Sequence, residues 1–236
     1  MRRLPRAALW LPVLTLSALA VGLTTAQSQG AAPAGDPLAI QAGPPDAKRG
    51  EALTQTCQGC HGPMGHSKDE GKPSLGGQVP SYLTLQLAAF RAKLRPSPVM
   101  QAIAARLTDQ NIVDLAAYYG QQTPRDAWEA NAALRAKGQQ FYNSGAVERG
   151  VTACVVCHGV DGRGNNALHI ASITHQSPKY TLEVLHEFKS VPDYHVAYPN
   201  AMHIVTAKMT EDELSAVTAY LSSMGTNSMN MAPASK

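Results

Sequence analysis

Apolar residues recur at helical spacing in several separate segments of this chain. Within 81–93, Leu85, Ala89 and Phe90 fall near one face of a helix, and segment 179–189 repeats the pattern. Opening helices are predicted over 46–56 and 131–142. Two closing helices each follow a threonine that suits an N-cap: Thr108 before Ile112, Leu115 and Tyr118, and Thr210 before Leu214, Val217 and Tyr220. The pattern therefore predicts an all-α fold.

The second half of the chain repeats the first. The offset drifts slowly along the sequence, as expected for two copies that differ by small loop changes. The matched pairs are Cys57 with Cys154 at an offset of 97, Gln78 with Gln176 and Tyr82 with Tyr180 at 98, and Met100 with Met202 and Tyr118 with Tyr220 at 102. We interpret the repeat as a duplicated domain, with copies at 46–122 and 131–225 joined by a linker over 123–130.

The N-terminal segment has the layout of a secretory signal peptide. A basic start up to Arg6 precedes an uncharged apolar run over 7–23, and Ala26 closes a small-residue cleavage site. We predict a signal peptide over 1–26, a flexible leader over 27–45 and a tail over 226–236. An uncleaved membrane anchor is the alternative for the first segment.

The charge balance depends on that segment. The full chain has 20 basic and 17 acidic side chains and a net charge of +3. Residues 1–26 hold three Arg and no acidic residue, so their removal leaves 17 of each sign. The basic character therefore says nothing about nucleic acid, and no nucleic-acid partner is predicted.

All four cysteines lie in two C-x-x-C-H motifs, the attachment signature of c-type haem. Two residues between the cysteines set the reach to two vinyl groups of one porphyrin, and the following histidine is delivered to the iron. A zinc site would need two further ligands, and a redox dithiol does not explain the histidine. We predict two covalent haems c, attached through the following residues: Cys57 and Cys60 with proximal ligand His61, and Cys154 and Cys157 with proximal ligand His158.

The sixth ligand of each iron is predicted from the repeat. Met100 lies well downstream of the first motif, behind two prolines, whereas Met64 is too near His61 to cross to the distal face. Met202 aligns with Met100. His203, adjacent to Met202, is the competing ligand at the second iron.

Other polar residues allow two interpretations. Gln78, Gln176, Tyr82 and Tyr180 either hydrogen-bond near the haem edge or are structural. Arg91 and Arg95, with Lys189 near the matching place, are candidate partners of the haem propionates. Five further histidines have no matched partner in the other copy, and we expect them to lie exposed or in loops: His66, His169, His175, His186 and His195.

Together the motifs resemble the dihaem cytochromes c4, bacterial carriers built from two class I cytochrome c domains. The resemblance covers about 46–223 and rests on CQGCHGPMG and CVVCHGVDG, on GGQVPSYLTLQLAAF with its second-copy echo, and on the positions of Met100 and Met202. It implies His/Met ligation at both irons, two haems facing each other across a domain interface, and electron transfer toward a terminal oxidase. The second copy departs from the pattern at His175, where the first has Gly77.

These features predict a periplasmic electron carrier rather than an enzyme. Its expected partners are redox proteins such as a membrane cytochrome complex and a terminal oxidase or reductase, with peripheral membrane association left open. The alternatives are an electron-transfer subunit of a larger dehydrogenase or oxidase complex, and a dihaem peroxidase-like enzyme. A cysteine-ligated haem is excluded because attachment consumes all four thiols.

Overall fold

The computed structural model describes residues 36–190 and 197–224, with the backbone alone for 197–199. The described residues form ten α-helices, with two 3-10 turns and two isolated β-bridges in the connecting segments. This confirms the all-α prediction. The first copy contains α1 (Ala47–Leu53), α2 (Gln55–His61), α3 (Pro80–Arg91), α4 (Pro98–Ala104) and α5 (Asp109–Gln121). The second copy contains α6 (Ala132–Ser144), α7 (Val155–His158), α8 (Pro178–Ser190), α9 (Ala197–Thr206) and α10 (Glu211–Ser223).

Both closing helices begin with a capping box. The hydroxyl of Thr108 accepts the backbone N–H of Asn111, whose side chain accepts the N–H of Thr108 in return. Thr210 and Glu213 make the same pair at the start of α10. Each box satisfies two donors that the first helical turn would otherwise leave without a partner.

The opening segment of the first copy differs from the prediction. Instead of one helix over 46–56, it forms α1 and α2, which meet at Thr54. The hydroxyl and the backbone N–H of Thr54 both bond to the carbonyl oxygen of Glu51, at 2.8 and 3.1 Å. This tight turn ends α1, and α2 then carries the first C-x-x-C-H motif to its last residue.

A glycine lies where the opening helix of each copy crosses the closing helix. A Cβ atom on Gly50 would lie 2.0 Å from the carbonyl oxygen of Asp114, and one on Gly138 would lie 2.0 Å from that of Ala216. Only glycine permits backbones to approach this closely. The same crossing is therefore built into both copies.

Each copy has its own apolar core. Leu83, Leu115 and Tyr119 belong to the first core, against which Cys57 packs. Tyr142, Leu214 and Val217 belong to the second, against which Cys154 packs. Two cores with one haem motif beside each indicate two domains rather than one large domain.

The two copies contact each other through mirrored hydrogen bonds. Gln78 bonds with both backbone groups of Ser172, donating to its carbonyl oxygen at 2.8 Å and accepting its N–H at 2.7 Å. Gln176 makes the same two bonds with Ser74, both at 2.8 Å. All four residues are buried. Because Ser74 and Ser172 are themselves matched at an offset of 98, the interface has an approximate two-fold symmetry.

The linker between the copies is bonded to both of them. The imidazole Nε2 of His66 lies 2.7 Å from the carbonyl oxygen of Thr123, and Arg125 Nη1 donates to the carbonyl oxygen of Ser67 at 2.8 Å. On the other side, the backbone N–H of Trp128 donates to the carbonyl oxygen of Ser222 at 2.9 Å. These three hydrogen bonds hold the linker against both domains.

The described part of the leader, residues 36–45, contains no regular helix. Its backbone N–H groups at Gln41 and Gly43 bond to the side chains of Asp109 and Gln110, at 2.7 and 2.8 Å, so this stretch lies along α5. The predicted signal peptide, the first part of the leader and the tail lie outside the described residues. Within the described residues, no helix is both long enough and apolar enough to cross a membrane.

Candidate haem-binding sites

Within each C-x-x-C-H motif, the two thiols and the imidazole differ in how far they are exposed to solvent. Cys60 and Cys157 are exposed, whereas Cys57 and Cys154 are half-buried. His61 is only 7% exposed and His158 only 8%. The cysteine spacing of three residues places both sulfurs of a motif near one face of its helical turn. The two copies therefore present the same set of groups.

Each motif histidine is held by one backbone carbonyl. Nδ1 of His61 lies 2.9 Å from the carbonyl oxygen of Pro73, and Nδ1 of His158 lies 2.9 Å from that of Ala171. A carbonyl only accepts, so Nδ1 carries the proton and Nε2 keeps its lone pair. Burial lowers the pKa of both imidazoles, which favours this neutral form. A neutral imidazole with a bonded Nδ1 is the usual state of a histidine that ligates a metal.

The sulfur chemistry fits covalent attachment better than a thiolate site. None of the four cysteines forms a disulfide. Burial raises the pKa of Cys57, and raises that of Cys154 to about 11, so neither is an activated thiolate. In the described part of the chain, no group of three or more His, Cys, Asp and Glu side chains could hold a metal ion. Four unpaired sulfurs and two neutral imidazoles are the donor set that two haems c require.

The two candidate methionines lie on short helices after the third helix of each copy. Met100 is the third residue of α4, and its backbone N–H donates to the Ser97 hydroxyl at 3.4 Å. Met202 lies in α9 and packs against the second core. Both side chains are half-buried.

The residue after each methionine is tied to the preceding chain. Gln101 Nε2 donates to the carbonyl oxygen of Arg95 at 2.9 Å. Nδ1 of His203 lies 2.8 Å from the carbonyl oxygen of Phe188. His203 thus occupies the place of Gln101 and makes a similar bond to the backbone.

Sequence reasoning left two interpretations for several polar residues, and the structure shows which protein groups some of them contact. Gln78 and Gln176 bond to the opposite copy, as described above. Arg91 pairs with Asp109 at 2.7 Å and donates to the carbonyl oxygen of Leu107. The Arg91 guanidinium thus joins α3 to the start of α5, and its pairing with a propionate stays a prediction.

Lys189 takes the matching role in the second copy. Its ammonium group pairs with Glu211 at 2.9 Å and donates to the carbonyl oxygen of Met209 at 2.8 Å, so it joins α8 to the start of α10. Tyr82, Tyr180 and Arg95 remain together near the interface. The pKa of Tyr82 is raised to about 12, chiefly by burial and against the effect of the nearby Arg95 cation.

The additional histidines within the described residues lie exposed or in loops, as expected, and one of the loop histidines is buried. His175 is 3% exposed, and its Nδ1 has no hydrogen-bond partner within the described residues. Burial lowers its pKa to about 4. Its φ of 65° falls in the left-handed region, like the 74° of the matching Gly77. His186 is exposed and pairs with Glu211, whereas His195 lies outside the described residues.

Sequence reasoning did not find the partners of the interface glutamines. Ser74 and Ser172 share the offset of 98 that relates the two glutamines. Two matched polar pairs at one offset were the available signal. The core position of Met224 was also missed: this residue lies just after the end of α10, yet its side chain is 6% exposed and belongs to the second core.

Comparisons with known proteins agree with this geometry. Residues 47–122 and 135–225 each match the cytochrome c family. A cytochrome c4 of Thiocapsa roseopersicina is 37% identical over 186 residues, covering 78% of this chain and 94% of that protein. A thiosulfate dehydrogenase electron acceptor of Stutzerimonas stutzeri is 32% identical over 173 residues, covering 72% and 79%. The crystal structure of reduced recombinant cytochrome c4 from Pseudomonas stutzeri aligns with a TM-score of 0.72 at 27% identity, covering 77% of this chain and all of that one.

Two helical domains, each with a C-x-x-C-H motif and a buried, carbonyl-bonded histidine, define a dihaem c-type cytochrome that transfers electrons. The family match includes both segments, and the alignment covers 94% of the Thiocapsa roseopersicina protein, so the similarity extends over both domains. The chain belongs to the cytochrome c4 family.

Proposed function

We propose that the protein is a periplasmic carrier that exchanges electrons, one at each of two sites, between a membrane cytochrome complex and a terminal oxidase or reductase. The observation that carries this proposal is the duplicated histidine: in both copies a buried imidazole after C-x-x-C donates Nδ1–H to a carbonyl oxygen at 2.9 Å. Two matched sites of one kind suit storage and relay of electrons.

We assign the groups that hold the cofactors as follows. Cys57 and Cys60 attach the first haem, and Cys154 and Cys157 attach the second. The axial ligands are His61 with Met100, and His158 with Met202. When bound, each haem supplies one-electron exchange between ferric and ferrous iron. The haem-binding units extend over 46–122 and 131–225, and the linker over 123–130.

The protein residues contribute orientation and solvent exclusion. The carbonyls of Pro73 and Ala171 fix the ring orientation and the proton position of the two histidines, so Nε2 stays available as a ligand. Thioether ligation raises a haem's reduction potential relative to bis-histidine ligation. Ligation by Met100 and Met202 would therefore raise the reduction potential of both sites and suit them to electron acceptors of high potential.

The position of His203 supports Met202 as the second ligand. His203 bonds to the carbonyl oxygen of Phe188, as Gln101 bonds to that of Arg95, so both copies use this position to hold the methionine helix. Met202 instead packs against the core that also receives Cys154. Ligation by Met100 and Met202 would leave neither haem with an open position for a peroxidase reaction, and we therefore assign the protein a carrier role rather than an enzymatic one.

A second candidate function follows from one relative. The Stutzerimonas stutzeri protein that is 32% identical is a thiosulfate dehydrogenase electron acceptor. The present protein would then receive electrons from thiosulfate dehydrogenase rather than from a membrane cytochrome complex. Both candidates require the same two sites and differ in the electron donor.

The test is the absorption spectrum of the purified protein, oxidised and reduced, with haem content per chain. We expect two haems per chain, a low-spin reduced spectrum, the weak red band of Met-ligated ferric haem at the strength of two sites, and no binding of cyanide or carbon monoxide. A high-spin spectrum, or a half-strength band with ready ligand binding, would mean that one iron lacks its methionine and would favour the enzyme. Reduction by thiosulfate dehydrogenase, compared with reduction by a membrane cytochrome complex, separates the two donors.

A further inference from the structure

One peptide group connects each motif histidine to the opposite domain. The carbonyl oxygen of Ala171 lies 2.9 Å from Nδ1 of His158. The N–H of the same peptide group, which belongs to Ser172, donates to Oε1 of Gln78 in the other copy at 2.7 Å. The two hydrogen bonds thus form a chain from Gln78 of the first domain to His158 of the second.

The reverse connection exists as well. The peptide group between Pro73 and Ser74 accepts from His61 at its oxygen and donates its N–H to Oε1 of Gln176, at 2.9 and 2.8 Å. The serine and glutamine of this second chain are only 4% and 9% exposed. Little water competes for these bonds, so each is electrostatically stronger than it would be at the surface.

Hydrogen bonds in such a chain strengthen one another. When the N–H of an amide is bonded to an acceptor, electron density moves toward its carbonyl oxygen, which becomes a better acceptor. A stronger bond from the histidine Nδ1–H gives the ring more imidazolate character and makes Nε2 a stronger donor to iron. A stronger donor stabilises ferric over ferrous iron, which lowers the reduction potential.

We propose that each interface glutamine tunes the haem of the opposite domain: Gln78 lowers the reduction potential of the haem on His158, and Gln176 lowers that of the haem on His61. This proposal rests on the proposed haem ligation by these two histidines. The glutamines are positioning residues that act through one peptide group. Association of the domains therefore changes both potentials together.

A purely structural role for the glutamines predicts a different result. If they only held the domains together, their loss would open the interface and admit water to both sites. Solvent exposure stabilises the more highly charged ferric site, so both potentials would fall. Loss of the hydrogen-bonded chain instead raises one potential, that of the haem in the other domain. The two explanations thus differ in sign and in the haem affected.

The experiment is a redox titration of the full-length dihaem protein, with each haem followed by its own NMR signals. For Gln78→Leu, we expect the ferrous-to-ferric ratio of the second-domain haem to rise on the order of threefold at a fixed applied potential. This magnitude follows from the loss of the roughly 10–30% strengthening that each hydrogen bond in a chain gives to the next. At 59 mV per tenfold, this is a rise of about 30 mV. Gln176→Leu is expected to raise the first-domain haem instead.

Two further variants serve as controls. Gln122 is a half-buried glutamine just after α5 whose Nε2 donates to the carbonyl oxygen of Tyr118 in the same domain, and Gln122→Leu is expected to shift neither potential. Gln78→Glu keeps a donor and an acceptor at the same reach when its carboxyl is protonated, so at low pH it is expected to restore the wild-type potential. This variant also preserves the interface if the leucine variant does not fold.

Three outcomes would overturn the proposal: a fall of both potentials, a shift confined to the haem of the mutated domain, or no shift in either leucine variant. Failure of the proposed function itself appears elsewhere, in the wild-type protein. It would show as fewer than two reversible one-electron transitions, or as a spectrum without Met-ligated haem, whatever the variants do.

Discussion

Replacing Gly138 by alanine tests whether the close helix crossing holds the second domain together. The added Cβ would lie 2.0 Å from the carbonyl oxygen of Ala216 and 2.8 Å from the Cβ of Tyr220. Ordinary contacts of this kind begin above 3 Å, and the nearer atom is backbone on α10, which has no flexible end that could move away. Helices α6 and α10 must therefore separate by about 1 Å at their crossing.

The magnitude follows from the core beside that crossing. Tyr142, Leu214 and Val217 are at most 1% exposed and lie on the two helices that would separate. Overpacking of this kind costs about 3 kcal/mol. Alanine recovers about 1 kcal/mol through its better helix propensity. The expected net loss of about 2 kcal/mol would lower the midpoint of thermal unfolding of a domain of this size by about 10 °C.

The assay is thermal and denaturant unfolding of the dihaem protein, followed by far-UV circular dichroism and by the red absorption band assigned to Met-ligated haem. Gly59→Ala is the matched control, because nothing lies within 4 Å of its added Cβ and the second copy has Val156 at this place. We expect the control to be neutral or stabilised by up to about 1 kcal/mol. Equal stability of Gly138→Ala and the control would refute the reasoning.

Three further predictions use other parts of the chain. Hydrogen bonds from the Arg49 guanidinium hold the pKa of buried Asp114 below its usual range, so Asp114→Ala should cost about 2 kcal/mol near pH 7. That difference from wild type should shrink as the pH falls below about 4, because the carboxyl of the unfolded chain binds a proton there and the folded carboxyl follows at lower pH; chemical denaturation at several pH values measures it. Met202→Ala should halve the red band and let carbon monoxide bind one haem, whereas His203→Gln should leave the spectrum unchanged; a spectral change in the histidine variant alone would make His203 the ligand. Since residues beyond 26 hold 17 basic and 17 acidic side chains, electron-transfer rates with partner proteins should change little with salt, and a steep fall in stopped-flow rates on adding salt would contradict this.

Features that depend on local chemistry were predictable from the sequence. The C-x-x-C-H spacing is fixed by the porphyrin itself, and the threonine N-caps need partners only three residues away. The duplication doubled the weight of each signal, which is how Met100 and Met202 could be chosen among eight methionines. That choice of axial ligands stays a prediction, and the spectrum of the Met202 variant addresses it.

Features that depend on distant contacts were not predictable in the same way. The carbonyl oxygen that accepts from the Gln78 side chain is 94 residues away in sequence, and the one that accepts from Gln176 is 102 residues away. A glutamine side chain can hydrogen-bond to the backbone of another domain or to a haem propionate, and its sequence position does not distinguish the two partners. The contact between Arg91 and Asp109 was not predictable for the same reason, because it depends on how α3 packs on α5.

The mirrored interface also has a consequence for how molecules of this protein meet one another. A pairing in which Gln78 contacts Ser172 and Gln176 contacts Ser74 is self-complementary, so the first domain of one molecule could equally pair with the second domain of another. The hydrogen bonds that the linker makes at Thr123, Arg125 and Trp128 keep the two domains of one chain at a high effective concentration for each other. The linker thereby disfavours domain-swapped dimers, and the two haem-binding domains that pair belong to the same molecule.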